Sequence, residues 1–166
     1  MSFIHLNVAS GYSLKYGTTH PHDLVQRAAE FEMPALALTD RDGLAGAIRF
    51  TQSCVDYGIA PIIGVNCAID LGPTKFGLAK GRITLLAHSD GGWRSLCRLM
   101  TSLTMTSDTR IPVLTLDFLQ QFSQYSTNVY AMHGPESPIS DAIQNHRFDQ
   151  ALSIFCLLYT SDAADE

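Results

Sequence analysis

The sequence predicts an α/β fold, part of a parallel (β/α) barrel cut short at its C-terminus, and three observations predict it. Apolar runs of strand length alternate with stretches of helical periodicity through the first half of the chain, the rhythm that gives parallel pairing with right-handed crossovers. With 46% apolar and 16% charged residues, the composition is that of a core-building globular chain. Its 166 residues suffice for one domain, whereas a complete barrel of eight strand–helix units needs roughly 250.

Phe3 to Val8 reads as the first strand. Pro21 to Phe31 reads as a helix, with Pro21 suited to its first turn and Leu24, Val25, Ala28 and Phe31 on one face. Pro34 to Thr39 is a second strand, and Gly43 to Tyr57 a second helix that stops at Gly58, a natural C-terminal cap. Pro61 to Ile69 is an apolar run of the kind buried in parallel sheets. After a Gly/Pro/Lys-rich connection come a strand over Arg82 to Ala87 and a helix over Trp93 to Leu103, with Trp93, Leu96, Leu99, Met100 and Leu103 inward. Thr115 is an expected N-cap for the helix LDFLQQF, Asn128 to Met132 a strand, HGPESP a loop, and short helices follow around Asp141 and Phe148. The domain is therefore drawn over 1–156. Residues 157–166 fit no capped element and resemble translated sequencing-adapter read-through, so they are set apart as a non-native or disordered tail.

A net charge of −5 argues against this segment alone gripping a phosphate backbone, which needs a surplus of Lys and Arg. Cys54, Cys67, Cys97 and Cys156 are widely spaced within apolar stretches and read as thiols of a reducing compartment, not as a disulfide framework or zinc motif. No stretch reaches the roughly 18 to 20 apolar residues of a membrane span, so the expected location is the cytoplasm, with no membrane partner. The chain has no GxSxG elbow, GxxxxGK[ST] loop or GxGxxG fingerprint, which leaves hydrolase-triad, P-loop and Rossmann chemistry without their parts. Gly91-Gly92 before a helix is a turn, or an anion site at the helix N-terminus. His20, His22 and Asp23 supply too few ligands for a closed metal geometry, and His5, His88, His133 and His146 belong to separate elements.

The C-terminal ends of parallel strands are where α/β barrels build chemistry. Here the first three carry HLNVASGYS, LTDRDGL and IIGVNCAID. With YGTTHPHDLVQRAAEFEMPALALTDRDGLAGAIRF and RITLLAHSDGGWRSLCRL they span most of residues 3 to 105. This joint pattern resembles the N-terminal polymerase-and-histidinol-phosphatase (PHP) domain of bacterial DNA polymerase III alpha-type subunits; HGPESPISDAI near Gly134 extends the likeness loosely. The resemblance implies a barrel of the PHP type whose rim, in active members, holds two or three metal ions with His, Asp and Glu for phosphoester hydrolysis.

Laid on this chain, that ligand pattern is missing its ligands. The two alternating histidines after the first strand fall on Asn7 and Ala9, and the acid before the next turn's glycine falls on Tyr16. The histidine after Thr39-Asp40 falls on Arg41, the glutamate after Gly64-Val65 on Asn66, and the histidine opening the next strand on Arg82. A methyl group cannot ligate, an amide is a poor substitute for imidazole, and a guanidinium puts fixed positive charge into a cation site. No metal and no catalytic residue are expected in this segment. A residual polar cleft of Ser10, Tyr12, Asp40, Arg41 and Asn66 is expected instead, read in two ways. Either Asp40 pairs with Arg41 or Arg82 or docks a neighbouring domain, or Asp40 caps the helix beginning near Gly43 and Arg41 is solvated.

The resemblance implies a piece of a DNA-directed DNA polymerase, with ligand loss pointing to the error-prone, translesion branch and to a metal-free scaffold. It further implies Mg2+ only in the polymerase domain, DNA contacted through domains outside this segment, and the remaining polymerase domains in cis, with accessory polymerase subunits, as partners. Two alternatives stay open: an active PHP metallo-phosphoesterase or 3′–5′ exonuclease with a remodelled site, and an unrelated α/β binding protein.

Overall fold

Why the polar segment Thr18–His20 gives way to a helix is visible in Pro21, which opens α1 (Pro21–Glu30) and buries itself with Val25 and Ala28. The structure, a computed structural model, describes residues 3–75, 77–107, 111–123 and 128–159. After α1 comes β1 (Ala35–Arg41), buried from Ala35 through Asp40 as befits a strand covered on both faces. Helix α2 (Ala47–Tyr57) ends on Gly58, whose φ of 68° is the left-handed cap glycine supplies freely. It returns the chain to β2 (Ala60–Thr74), which pairs with β1 in parallel from Ala35 opposite Ala60 to Arg41 opposite Asn66. This β1–α2–β2 unit is the crossover the sequence predicts.

Strand β3 (Gly77–Ala87) departs from the parallel expectation. It folds straight back on β2 as an antiparallel hairpin, Asn66 facing Thr84 and Ala68 facing Arg82. A parallel partner needs a crossover of a dozen or more residues, whereas here β2 and β3 each run into the Gly/Pro/Lys connection and leave only 75–76 between them. The pairing shifts register between Asp70 and Pro73, where proline has no N–H to give the ladder. Helix α3 (Asp90–Thr106) packs Leu96, Leu99 and Leu103 onto the sheet. A short strand with no expectation in the sequence, β4 (Val113–Thr115), pairs in parallel with the far half of β2. Helix α4 (Leu116–Ser123) follows, with Thr115 Oγ1 accepting from the Phe118 N–H as the expected cap. Strand β5 (Val129–Met132) then adds antiparallel to β3, and α5 (Pro138–Gln144) and α6 (Phe148–Tyr159) close the chain. The class is α/β as predicted, with a mixed sheet ordered β1-β2-β3-β5 and β4 beside β2.

Three further expectations need correction. Phe3 to Val8 forms no strand: Ala37 and Thr39 donate to the carbonyls of His5 and Val8, a spacing of three residues on one side against two on the other, so the ladder is broken by an extra residue. The second helix starts at Ala47, not Gly43, because Asp42 turns left-handed at φ 57° and 43–46 wraps as a turn with Ala47 N–H on the Leu44 carbonyl. The boundary drawn at 157 falls inside α6, which runs to Tyr159; residues 160–166 of the expected tail lie outside the described residues.

Two apolar clusters hold the fold. One joins α1, β1 and α2 around Phe50, Val25 and Leu36. The other lies between the β2–β3 hairpin, α3, β4 and α6, around Ile69, Leu96, Leu114 and Ile154. The rims of these two layers, at the carboxyl end of β1, meet at the site.

Candidate functional site

The site begins with the alternation of β1. Side chains two apart share a face of a strand, so Thr39 and Arg41 point one way and Asp40 the other. On the Asp40 side lies a buried knot. Its carboxylate, 2% exposed, accepts from Ser10 N–H at 2.6 Å, from Ser10 Oγ at 2.8 Å and from Ser13 Oγ at 2.7 Å. Ser13 Oγ in turn accepts from Arg41 N–H. Asp40 therefore neither pairs with an arginine nor caps α2, whose N-terminus has no side-chain cap. It anchors the 10–17 loop to β1, because a buried carboxylate is tolerated only where donors surround it. Ser10 shares that knot, and Tyr12 hangs its N–H on Ser10 Oγ and packs beside Gly46.

On the other face a cleft of about 640 Å³ opens. The six positions singled out as replaced ligands, Asn7, Ala9, Tyr16, Arg41, Asn66 and Arg82, all line it, with Val8, Gly17, Thr39 and 134–136 completing the walls. Ser10, Tyr12 and Asp40 do not. Register explains the convergence: Arg41 lies directly across from Asn66 in the parallel pair, and Arg82 sits two residues from Thr84, the antiparallel partner of Asn66.

Each arginine is held by a carboxylate that the sequence reading missed. Arg82 Nη2 donates to Asp42 Oδ1 at 2.7 Å and to the Asn66 carbonyl at 2.6 Å, while its Nε donates to Asn66 Oδ1. The pair is partly shielded, with side chains 13% and 18% exposed, and Asp42 also accepts from Ala68 N–H. Arg41 Nη2 donates to both Glu136 oxygens, at 2.8 and 2.7 Å, and its guanidinium stacks 3.4 Å from the Tyr16 ring centroid. Gly81 makes this possible, since a side chain there would stand 2.4 Å from the Glu136 carbonyl, which accepts from Arg82 N–H. Asp42 is visible in sequence only as the second acid of TDRDG, and Glu136 lies 95 residues from Arg41; no local spacing announces either.

Beside this network, burial pushes the Cys67 thiol up to about 12, with the negative charge of Asp42 adding to the effect and Arg82 opposing it. Burial also holds His133 below the ordinary histidine range. His22 sits on the surface, 3.4 Å from Asp23 and edge-on to Tyr57. At Gly91-Gly92, Asn128 occupies the approach, its carbonyl 2.1 Å from where a Gly92 side chain would begin, so the glycines serve close packing. Among the described residues no three His, Cys, Asp or Glu side chains converge to hold a metal ion. The donor chemistry of the cleft agrees: two guanidiniums, two amides, a phenol and a methyl do not fit a multi-metal group, and its one lining carboxylate, Glu136, is taken by Arg41.

A family model described as the PHP domain matches residues 5–158. The chain is 37% identical over 131 residues to the DNA polymerase III subunit alpha of Chlamydia pneumoniae, covering 75% of the chain and 10% of that relative. It is 37% identical over 110 residues to the error-prone DNA polymerase of Symbiobacterium thermophilum, covering 66% and 9%. It thus spans about a tenth of the length of these curated relatives. Among solved structures, an amidohydrolase from Chromobacterium violaceum aligns with a TM-score of 0.46 at 22% identity, over 61% of this chain and 33% of that one.

Proposed function

The chain belongs to the PHP domain family, and on that premise we propose that it is the N-terminal PHP domain of a DNA-directed DNA polymerase of the DNA polymerase III alpha type, in the error-prone branch, where it acts as a metal-free scaffold. The observation that carries the scaffold role is the arginine-filled cleft. Two fixed cations stand where the family's ligand pattern calls for imidazoles, and each is matched to a carboxylate, Asp42 or Glu136, that ties separate segments together. The branch assignment is supported by the same replacements and by error-prone polymerases among the relatives. On this reading, nucleotidyl transfer, its Mg2+ and DNA contact belong to the other domains of the polymerase in cis. The PHP domain packs against them or an accessory subunit, and the protein works in the cytoplasm in replication, repair or translesion synthesis. No helix among the described residues is long and apolar enough to cross a membrane.

The test is elemental analysis of the full-length polymerase for zinc, manganese and iron after dialysis against each, with an assay for 3′-terminal nucleotide release. The expected result is no stoichiometric metal in this domain and no metal-dependent release. Stoichiometric metal lost on replacing cleft residues, or release that such variants abolish, would establish the phosphoesterase or exonuclease reading instead.

A further inference from the structure

Helix α2 is left bare on one side, and the hairpin is the reason. In a parallel unit the crossover helix between β2 and β3 would lie beside α2. Here only 75–76 separate those strands, and among the described residues no helix takes that place. What remains is a groove of about 500 Å³ between Ile48 and Val55 of α2 and Trp93 of α3, with Pro61 and Ile63 of β2 beneath. Ile48 and Val55 are 72% and 67% exposed, so an apolar ridge runs along the groove. At about 3.6 residues per turn, Ile48, Gln52 and Val55 form one stripe pointing away from the buried Phe50, Ser53 and Cys54. Arg49 and Asp56 lie together on one flank of that stripe, about two turns apart, and Thr51 lies on the other. Among the described residues Arg49 meets no carboxylate, and Asp56 accepts only from Gln52, at 3.0 Å.

We infer that this face of α2 pairs with the same face of a second copy of the chain, antiparallel, about a two-fold axis close to Gln52. In that register Ile48 packs on the partner's Val55 and Arg49 meets the partner's Asp56, and symmetry makes each contact twice. A two-fold of this kind keeps like flanks together, so the charged flank meets its own copy with the signs reversed. Parallel pairing would instead set Arg49 and Asp56 against the uncharged Thr51 flank. A partner of another sequence would need an acid and a base in matching places, whereas a second copy carries them by construction. One helix face falls short of the roughly 800 Å² per partner of a standard interface, so the dimer is weak, with a dissociation constant of about 10–100 µM. The contact lies on the helix-covered side of the sheet, away from the cleft, and does not depend on the metal-free reading.

The test is sedimentation velocity on the full-length protein from about 5 to 200 µM, a range that brackets a weak dimer. The expected result is a rise from monomer toward dimer with concentration, which Ile48→Lys abolishes. Arg49→Asp should weaken it by about tenfold, since two exposed attractions become two repulsions. Combining Arg49→Asp with Asp56→Arg should restore it, because the charges again match across the axis. All three positions are exposed, so the variants should melt as the parent does. A monomer throughout the range, as when another domain covers α2, overturns the inference. So does association indifferent to Ile48→Lys and Arg49→Asp, as a contact through α6 would be, or a loss in Arg49→Asp that the double variant does not repair.

Discussion

Asp40 shows how a residue on a functional strand can be structural. Its carboxylate satisfies Ser10 and Ser13 in a buried knot, so Asp40→Ala is expected to lower unfolding free energy by about 3 kcal/mol, because the stranded donors lose a charged acceptor. Asp40→Asn should cost less, since the amide oxygen keeps one acceptor in place; urea denaturation of the two variants reads the difference. Asp70 behaves differently because it is on the surface. Its hydrogen bond from Lys80, with that from the Gly72 N–H, holds its carboxyl below the ordinary value of 3.8. A depressed folded-state pKa contributes stability above the unfolded value that is lost as pH falls through the folded one. The gap in melting temperature between the parent and Asp70→Asn should therefore be constant near neutrality and close below pH 3.8; a gap that widens on acidification would contradict the sign.

At the scale of elements, the hairpin β2–β3 and the 134–137 loop are one device. Gly81 lets the loop backbone lie against β3, and Arg82 N–H fixes it there. Gly81→Ala forces a backbone shift that a flexible side chain cannot absorb, and should cost about 2 kcal/mol as an overpacked contact. It should also release Glu136 from Arg41, seen as loss of the Arg41 Nη correlation in NMR spectra. The elements themselves were largely legible in the sequence, because α1, β1, α2 and α3 announce themselves by periodicity and by Pro21 and Gly58. What was not legible was pairing. A strand–helix rhythm says nothing of how Gly72 and Gly77 turn β2 back on itself, and the three residues of β4 carry no period to detect. The cleft followed the same divide: the family resemblance, laid on the sequence, marks all six replaced positions, whereas Asp42 and Glu136 are found only by folding the chain.

For the molecule as a whole, the Arg82–Asp42 pair is the tie between the β1–α2 turn and the β2–β3 hairpin. Removing one partner leaves a partly buried charge alone, so Arg82→Ala in the full-length protein should destabilise this domain by about 3 kcal/mol, the low end for a buried pair because both groups keep some water. Unchanged stability would sink the scaffold reading. Residues of α5 and α6, among them Ile143, Phe148, Leu152, Phe155 and Leu157, expose apolar surface. Phe148→Ser with Leu152→Lys should lower light scattering of the isolated chain, provided that surface drives self-association.

The same ion pair also acts on the paths by which the protein can change. Putting a histidine in place of Arg82 restores one imidazole but strands Asp42, and restoring an acid at Asn66 first sets it against the Asp42 carboxylate nearby. Both of these steps toward a metal centre pass through a less stable protein, and the return by way of them is open only to combined substitutions. Such a history would be read as strong positive epistasis between positions 42, 66 and 82: a landscape in which losing a cofactor is easy and regaining it is barred by what moved in.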